Sequence, residues 1–251
     1  MFSLVVIDST LLYLPSKLFQ NTIYEKIRFA NTQIMSLSDS DLAFVGLEDH
    51  LEEIRASDAH YITQWDWSQL RNLRKIDVID IHLISMYSIE QEFPSLTSLT
   101  SLSISKAEIS FIHPKVFRGL SNLRMLILQD NEISEMSRSM LPNPAKELYM
   151  IDLSGNRLSS FPPNMFINMP NLKELELNNN HFVTLDEDTF RWPFENLKSL
   201  MFKGNSFRCD CRLRWLVNTR KPSTLEAKCA QPDNLNGVAL ENIVSSVLWC
   251  V

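Results

Sequence analysis

Glycine is scarce: five residues in 251, against an average usage of about 7%. The chain has no GxGxxG and no GxxxxGK[ST], so it lacks the glycine-rich loops with which α/β enzymes cradle phosphates. It also lacks a basic excess. With 24 Lys and Arg against 30 Asp and Glu, the net charge of -6 gives no general attraction to nucleic acid or anionic lipid. No run of 18 apolar residues occurs, so no membrane span is encoded. There is no Asn-x-Ser/Thr sequon and hence no N-glycan to cover a surface. HExxH and GxSxG are absent, and His50, His60, His82, His113 and His181 are scattered without ligand spacing, so the sequence calls for no metal and no cofactor. The apolar segment Met1–Ile7 has no basic flank, is broken by Asp8 and lacks a small-residue cleavage site; it reads as folded chain rather than as a signal peptide. What remains is 45% apolar and 10% aromatic, enough to bury a large core.

The chain repeats itself. Leu123, Leu126, Leu128, Asn131, Ile133 and Met136 recur as Leu148, Ile151, Leu153, Asn156, Leu158 and Phe161. They recur again as Leu172, Leu175, Leu177, Asn180, Phe182 and Leu185, and then as Leu197, Leu200, Phe202, Asn205 and Phe207. Upstream the register continues through Leu99, Leu102, Ile104 and Ala107, through Leu73, Ile76, Val78 and Ile81, and through Leu51, Ile54, Ala56, Ala59 and Tyr61. It ends in Tyr24, Ile27, Phe29 and Thr32, and in Leu4, Val6 and Ser9. The asparagine-equivalent positions are then 9, 32, 59, 81, 107, 131, 156, 180 and 205, spaced by 23, 27, 22, 26, 24, 25, 24 and 25 residues. The pattern LxxLxLxxNxLxxL resembles the extracellular type of leucine-rich repeat.

The fold expected from this is an α/β solenoid in which each repeat gives one strand to a curved parallel sheet on the concave face and an irregular or short helical return on the convex side. About nine repeats would fill residues 1–204, without an N-terminal cap. Leucine positions face inward and the intervening ones face the concave surface. Phe19, Leu42, Phe117, Phe166 and Phe190, each ten residues past an asparagine-equivalent position, are expected to stack as an apolar spine. Trp65 and Trp67 are read as core filler where their repeat runs short. Ser9 and Thr32 replace the ladder asparagine in part, whereas Ala59, Ile81 and Ala107 cannot, so the first half is expected to be less regular.

All four cysteines fall in residues 205–251, as Cys209, Cys211, Cys229 and Cys250. An even count gathered in one terminal module reads as a disulfide framework, and C-x-C without a paired C-x-x-C fits zinc poorly. With Trp215, Pro232 and Gly237 around them, these positions resemble the cysteine-rich C-terminal flanking domain of extracellular leucine-rich repeat proteins. That resemblance implies the pairs Cys209–Cys229 and Cys211–Cys250, a cap over the open end of the solenoid, and an extracellular or secreted protein. The stretches Phe44–Ile54, Trp65–Ile76, Glu187–Phe190 and Cys229–Leu235 further resemble arthropod secreted leucine-rich repeat proteins similar to the non-catalytic subunit of the shrimp luciferin 2-monooxygenase, which implies a separate catalytic chain as partner.

On the concave face the expected columns carry Lys26, Arg28, Glu53, Arg55, Asp58, Lys75, Asp77 and Asp80 as a mixed-charge half, and Ser101, Ser103 and Ser105 as a neutral band. Met125, Ile127 and Met150 form an apolar patch, and Asp130, Asp152, Glu174 and Glu176 an acidic cluster. An apolar centre with a polar rim is how binding patches are built. The partner-binding candidates are therefore Arg28, Arg55, Lys75, Asp77, Met125, Ile127, Asp152, Glu174 and Glu176, and the expected function is non-catalytic binding of a protein ligand. The alternatives are an innate immune or adhesion receptor ectodomain and, less favoured, a hydrolase using the acidic cluster.

Overall fold

The computed structural model describes residues 2–39, 42–58 and 65–250. Strands in chain order are β1 (Ser3–Tyr13), β2 (Lys26–Ser36), β3 (Glu53–Ser57), β4 (Val78–His82), β5 (Ser88–Ile89), β6 (Ser101–Ser105), β7 (Phe111–Ile112), β8 (Met125–Ile127), β9 (Met150–Asp152), β10 (Glu174–Glu176), β11 (Ser199–Met201), β12 (Phe207–Arg208), β13 (Thr224–Glu226) and β14 (Cys229–Gln231). Ten of them form one parallel sheet in the order β1-β2-β3-β4-β6-β8-β9-β10-β11-β13. Spatial order follows chain order without a crossover, so each strand meets only its repeat neighbours, which is the solenoid expected. Parallel neighbours need a long return connection. Among the described residues the returns are mostly irregular, with one α-helix, α1 (Glu187–Asn196), and short 3-10 turns such as Trp67–Leu70 and Arg138–Met140.

Alternation along the strands builds the core. Ile27, Ile54, Ile79, Leu102, Leu126, Ile151, Leu175 and Leu200 stand in register across the sheet, and each is fully buried. Each repeat's apolar edge thus becomes part of one continuous stack. In the returns the spine is aromatic. Phe19 meets Phe44 at 5.7 Å, Trp67 stacks on Phe93 at 4.2 Å, Phe93 reaches Phe117 at 5.7 Å, and Phe166 reaches Phe190 at 6.1 Å. Leu42 is only half-buried and does not belong to the spine; Phe44, two residues on, takes its place. Trp65 and Trp67 are buried and stacked at 5.4 Å, as filler should be.

The fourth repeat is displaced by three residues from the expected register. Ile79 pairs with Leu102 and Ile81 with Ile104, so the ladder position is Ile84, not Ile81. The spacings on either side become 25 and 23 instead of 22 and 26. The backbone marks the same frame independently. Asp8, Asn31, Asp58, Leu83, Lys106, Asp130, Gly155, Asn179 and Gly204 all adopt positive φ, and each immediately precedes a ladder position. Every repeat makes its turn through one left-handed residue, a conformation that glycine, asparagine and aspartate reach at least cost. At Gly155 a Cβ would also collide with the Asp130 carboxylate, and at Gly204 with the Asn179 amide.

The four ladder asparagines are buried. Asn156 accepts from the Ile133 amide at 3.0 Å and donates to the carbonyls of Leu128 and Leu153. Asn180 does the same for Leu158, Leu153 and Leu177, Asn205 for Phe182, Leu177 and Phe202. Asn131 accepts from both Ala107 and Ile109. Each side chain therefore bridges two repeats through backbone groups that would otherwise be orphaned. In the first half, Thr32 supplies a partial substitute, its hydroxyl 2.9 Å from the Ala30 carbonyl and 3.1 Å from that of Val6; Ala59 and Tyr61 lie outside the described residues. Where side-chain bridges are missing, Tyr87 and Glu108 add further left-handed residues, the irregularity expected there.

After β11 the chain turns into the disulfide-bonded segment. Cys209 is joined to Cys229 and Cys211 to Cys250, with Cα separations of 5.6 and 5.0 Å. β12 pairs with β14, and β13 extends the main sheet by setting Leu225 beside Leu200. Leu213, Leu216 and Leu240 are fully buried and belong to the same continuous core. The Trp215 indole donates to the Leu185 carbonyl at 3.1 Å and meets Phe194 edge-on at 5.4 Å.

Candidate functional site

Because strand side chains alternate, the register aligns outward residues from β2 onward in two columns, the longer strands presenting further outward residues beyond them. One runs Lys26, Glu53, Val78, Ser101, Met125, Met150, Glu174, Ser199, Thr224. The other runs Arg28, Arg55, Asp80, Ser103, Ile127, Asp152, Glu176, Met201, Glu226. Neighbours within a column lie about 4.8 Å apart, so the columns can be read as a surface.

Its first part is a paired-charge field. Glu53 is bridged by Lys26 and Arg55, and Arg55 also reaches Asp80 at 3.2 Å. Burial pushes the Glu53 carboxyl up, but its hydrogen bonds to Lys26 and Arg55 outweigh that and hold its pKa below the usual carboxylate range. The serine band is largely enclosed, with Ser101 and Ser105 buried. Met125 then opens to solvent at 39% exposure, beside half-buried Ile127 and Met150.

The next strands reverse the charge logic. Glu174 and Glu176 are half-buried on β10 and Asp152 is buried on β9. Burial, then the charges of Asp152 and Glu174, push the Glu176 carboxyl upward. Asp152 Oδ1 accepts from the Ser154 amide at 2.9 Å, and Glu174 accepts from the Tyr149 hydroxyl at 3.2 Å, which raises the tyrosine pKa.

The structure thus gathers Arg28, Arg55, Met125, Ile127, Asp152, Glu174 and Glu176 on one face. Lys75 and Asp77 are not on it: both are exposed in the turn that enters β4, and Val78, Asp80 and His82 hold the outward positions. The cause is the three-residue register difference: Ile79 and Ile81, not Ile76 and Val78, occupy the inward positions of this strand. Asp130 likewise sits in the left-handed turn after β8 rather than in a column. Met201 and Glu226 extend the face beyond the expected set. Glu226 lies in the disulfide-bonded segment, where Leu225 alone carries the repeat's signature. His50, His82, His113 and His181 fall in separate repeats, and His60 lies outside the described residues. Among the described residues no His, Cys, Asp and Glu group has metal-holding geometry, and no helix is long and apolar enough to cross a membrane.

Comparison with known proteins gives the same frame. Residues 71–133 and 146–207 match the family model described as leucine rich repeat. Toll-like receptor 9 of Mus musculus is 28% identical over 176 residues, 67% of this chain and 17% of the receptor. Podocan of Mus musculus is 34% identical over 93 residues, 36% of this chain and 14% of podocan. Oligodendrocyte-myelin glycoprotein of Homo sapiens is 31% identical over 107 residues, 40% of this chain and 23% of that protein. The matched stretch spans less than a quarter of each of these relatives. With its in-register strands, its asparagine ladder and these matches, the chain belongs to the leucine-rich repeat proteins.

Proposed function

We propose that this chain is a non-catalytic extracellular module, an array over residues 1–204 closed by a cap over 205–251, which holds a protein partner on its concave face. The observation that carries the reading is the Met125–Ile127–Met150 patch, Met125 exposed and the other two half-buried, set between paired charges and carboxylates, the apolar-centre, polar-rim composition of protein interfaces. The two disulfides favour an oxidising, extracellular setting. The relatives named as a receptor and as a glycoprotein agree with it.

A photo-crosslinking residue at Met125 in the secreted protein, with the same residue at convex Ile167, which is 55% exposed, tests this. Capture of one stoichiometric protein from the Met125 position alone is the expected result; equal capture from both positions overturns the reading. An enzyme subunit as that partner would support the narrower assignment as accessory subunit of a secreted enzyme, for which the Phe44–Ile54 and Trp65–Ile76 stretches speak. The second reading, a segment of a receptor ectodomain, is favoured by the Toll-like receptor match over 67% of the chain. An apolar stretch of about 20 residues downstream in the transcript would support it.

A further inference from the structure

We propose that the face formed by β8, β9 and β10 docks a protein segment presenting an apolar side chain beside a lysine or arginine. This rests on the concave-face reading above and names the chemistry of the partner.

Three observations carry it. First, the sheet treats its carboxylates in two ways. Those on β3 and β4 are neutralised by this chain's own cations, Glu53 by Lys26 and Arg55, and Asp80 by Arg55. Those on β9 and β10 have no ion pair among the described residues: Glu174 takes only a neutral hydroxyl, Asp152 a backbone amide, and the charges acting on Glu176 are Asp152 and Glu174. Second, the arrangement is already partly desolvated. Asp152 is 6% exposed, and while its Oδ1 holds the Ser154 amide, its Oδ2 has no hydrogen-bond partner among the described residues. A carboxylate largely withdrawn from water, with no cation beside it among the described residues, carries a cost that an incoming ammonium or guanidinium reduces. Third, the apolar patch adjoins the acidic one strand by strand. Met125 pairs with Met150 and Met150 with Glu174, and Ile127 pairs with Asp152.

Apolar and acidic centres are therefore separated by one or two strand spacings, about 5–10 Å. Two side chains that neighbour each other on a partner's helix or strand, about 5–7 Å apart, span that distance. Methionine's flexible thioether suits it to apolar groups of differing shape. Nucleic acid does not meet the requirement, since the same carboxylates repel phosphate.

The test is selection from a displayed library of random 12-residue peptides on the immobilised full chain, with affinities then measured on variants of the chain. Enriched peptides should place Leu, Met, Ile or Phe within four positions of Lys or Arg. Their binding should weaken with salt and fall about tenfold or more on the E174Q/E176Q double variant. Asp188→Asn, which removes a charge on the convex side, should leave binding unchanged. Variants are compared only where their thermal melts show a folded chain. Peptides without a basic residue that bind E174Q/E176Q normally but are lost on Met125→Asp would overturn the charge assignment and leave concave-face binding standing. Peptides indifferent to Met125→Asp as well would overturn both, and failure to enrich any basic-apolar peptide overturns the assignment.

Discussion

Leu83 is held at φ 56° and is 44% exposed, a branched side chain in a turn that all the other repeats but the one with Lys106 assign to glycine, asparagine or aspartate. A left-handed conformation costs an ordinary residue about 1–2 kcal/mol, and little packing offsets it here. Leu83→Asn should therefore raise stability by about 1 kcal/mol, read as an upward shift in the urea midpoint with unchanged slope; no shift would mean that the leucine's contacts outweigh its backbone strain. Asn156 is the opposite case. Truncation to alanine leaves the buried Ile133 amide without its acceptor and takes one of two asparagine donors from each of the Leu128 and Leu153 carbonyls, and should cost about 1–3 kcal/mol. Asn156→Asp, which keeps the acceptor for the Ile133 amide but loses the donors, buries a charge as well and should be no better tolerated.

At the scale of the strand, two carboxylates on well-separated strands of the sheet, Glu176 on β10 and Glu53 on β3, have their pKa values shifted in opposite directions. The folded pKa of Glu176 lies above its ordinary value, so ionisation opposes folding and protonation favours it. Glu176→Gln should stabilise the fold at neutral pH, and the gain should shrink as pH falls through the folded pKa and vanish below the ordinary value of 4.5. Glu53 has its folded pKa lowered, so its contribution is present above 4.5 and is lost as pH falls through the folded pKa. Glu53→Gln should destabilise at neutral pH and lose its effect in acid. Melting curves of the two variants from pH 3 to 7 check both signs. This scale also shows what could be read in advance. Repeats with a full LxLxxN core identify their outward residues directly, and Met125, Ile127, Asp152, Glu174 and Glu176 all stand where the pattern puts them. In the fourth repeat, isoleucine occupies 76, 79, 81 and 84, and apolar periodicity alone fits two frames three residues apart. Only the left-handed turn at Leu83 and the pairing with β6 distinguish them, and leucine gives no sign that it occupies such a turn. That is why Lys75 and Asp77 were expected on the face. The ion pairs that quiet the first half, and the unpaired carboxylates of the second, depend on pairing across strands and could not be ordered before the register was known.

At the scale of the molecule, stability is distributed along one axis. The second half carries the asparagine ladder and ends in two disulfides, whereas Leu4, Val6 and Leu11 on β1 are only partly buried. Solenoids of this kind lose structure from their weaker end, so amide exchange protection should rise from β1 toward β10. Uniform protection would point to a single cooperative unit. Reducing both disulfides should cost about 2–5 kcal/mol and remove part of that gradient by freeing the β11–β13 end. The nearly constant ladder spacing in the second half has a practical corollary. Since Gly155 and Gly204 occupy equivalent turns and Asn156 and Asn180 equivalent rungs, excising residues 156–179 joins Gly155 to Asn180 without altering the frame of any remaining strand. The chain can be shortened there like a ruler, by one graduation, which removes β10 with Glu174 and Glu176 and sets β9 directly against β11.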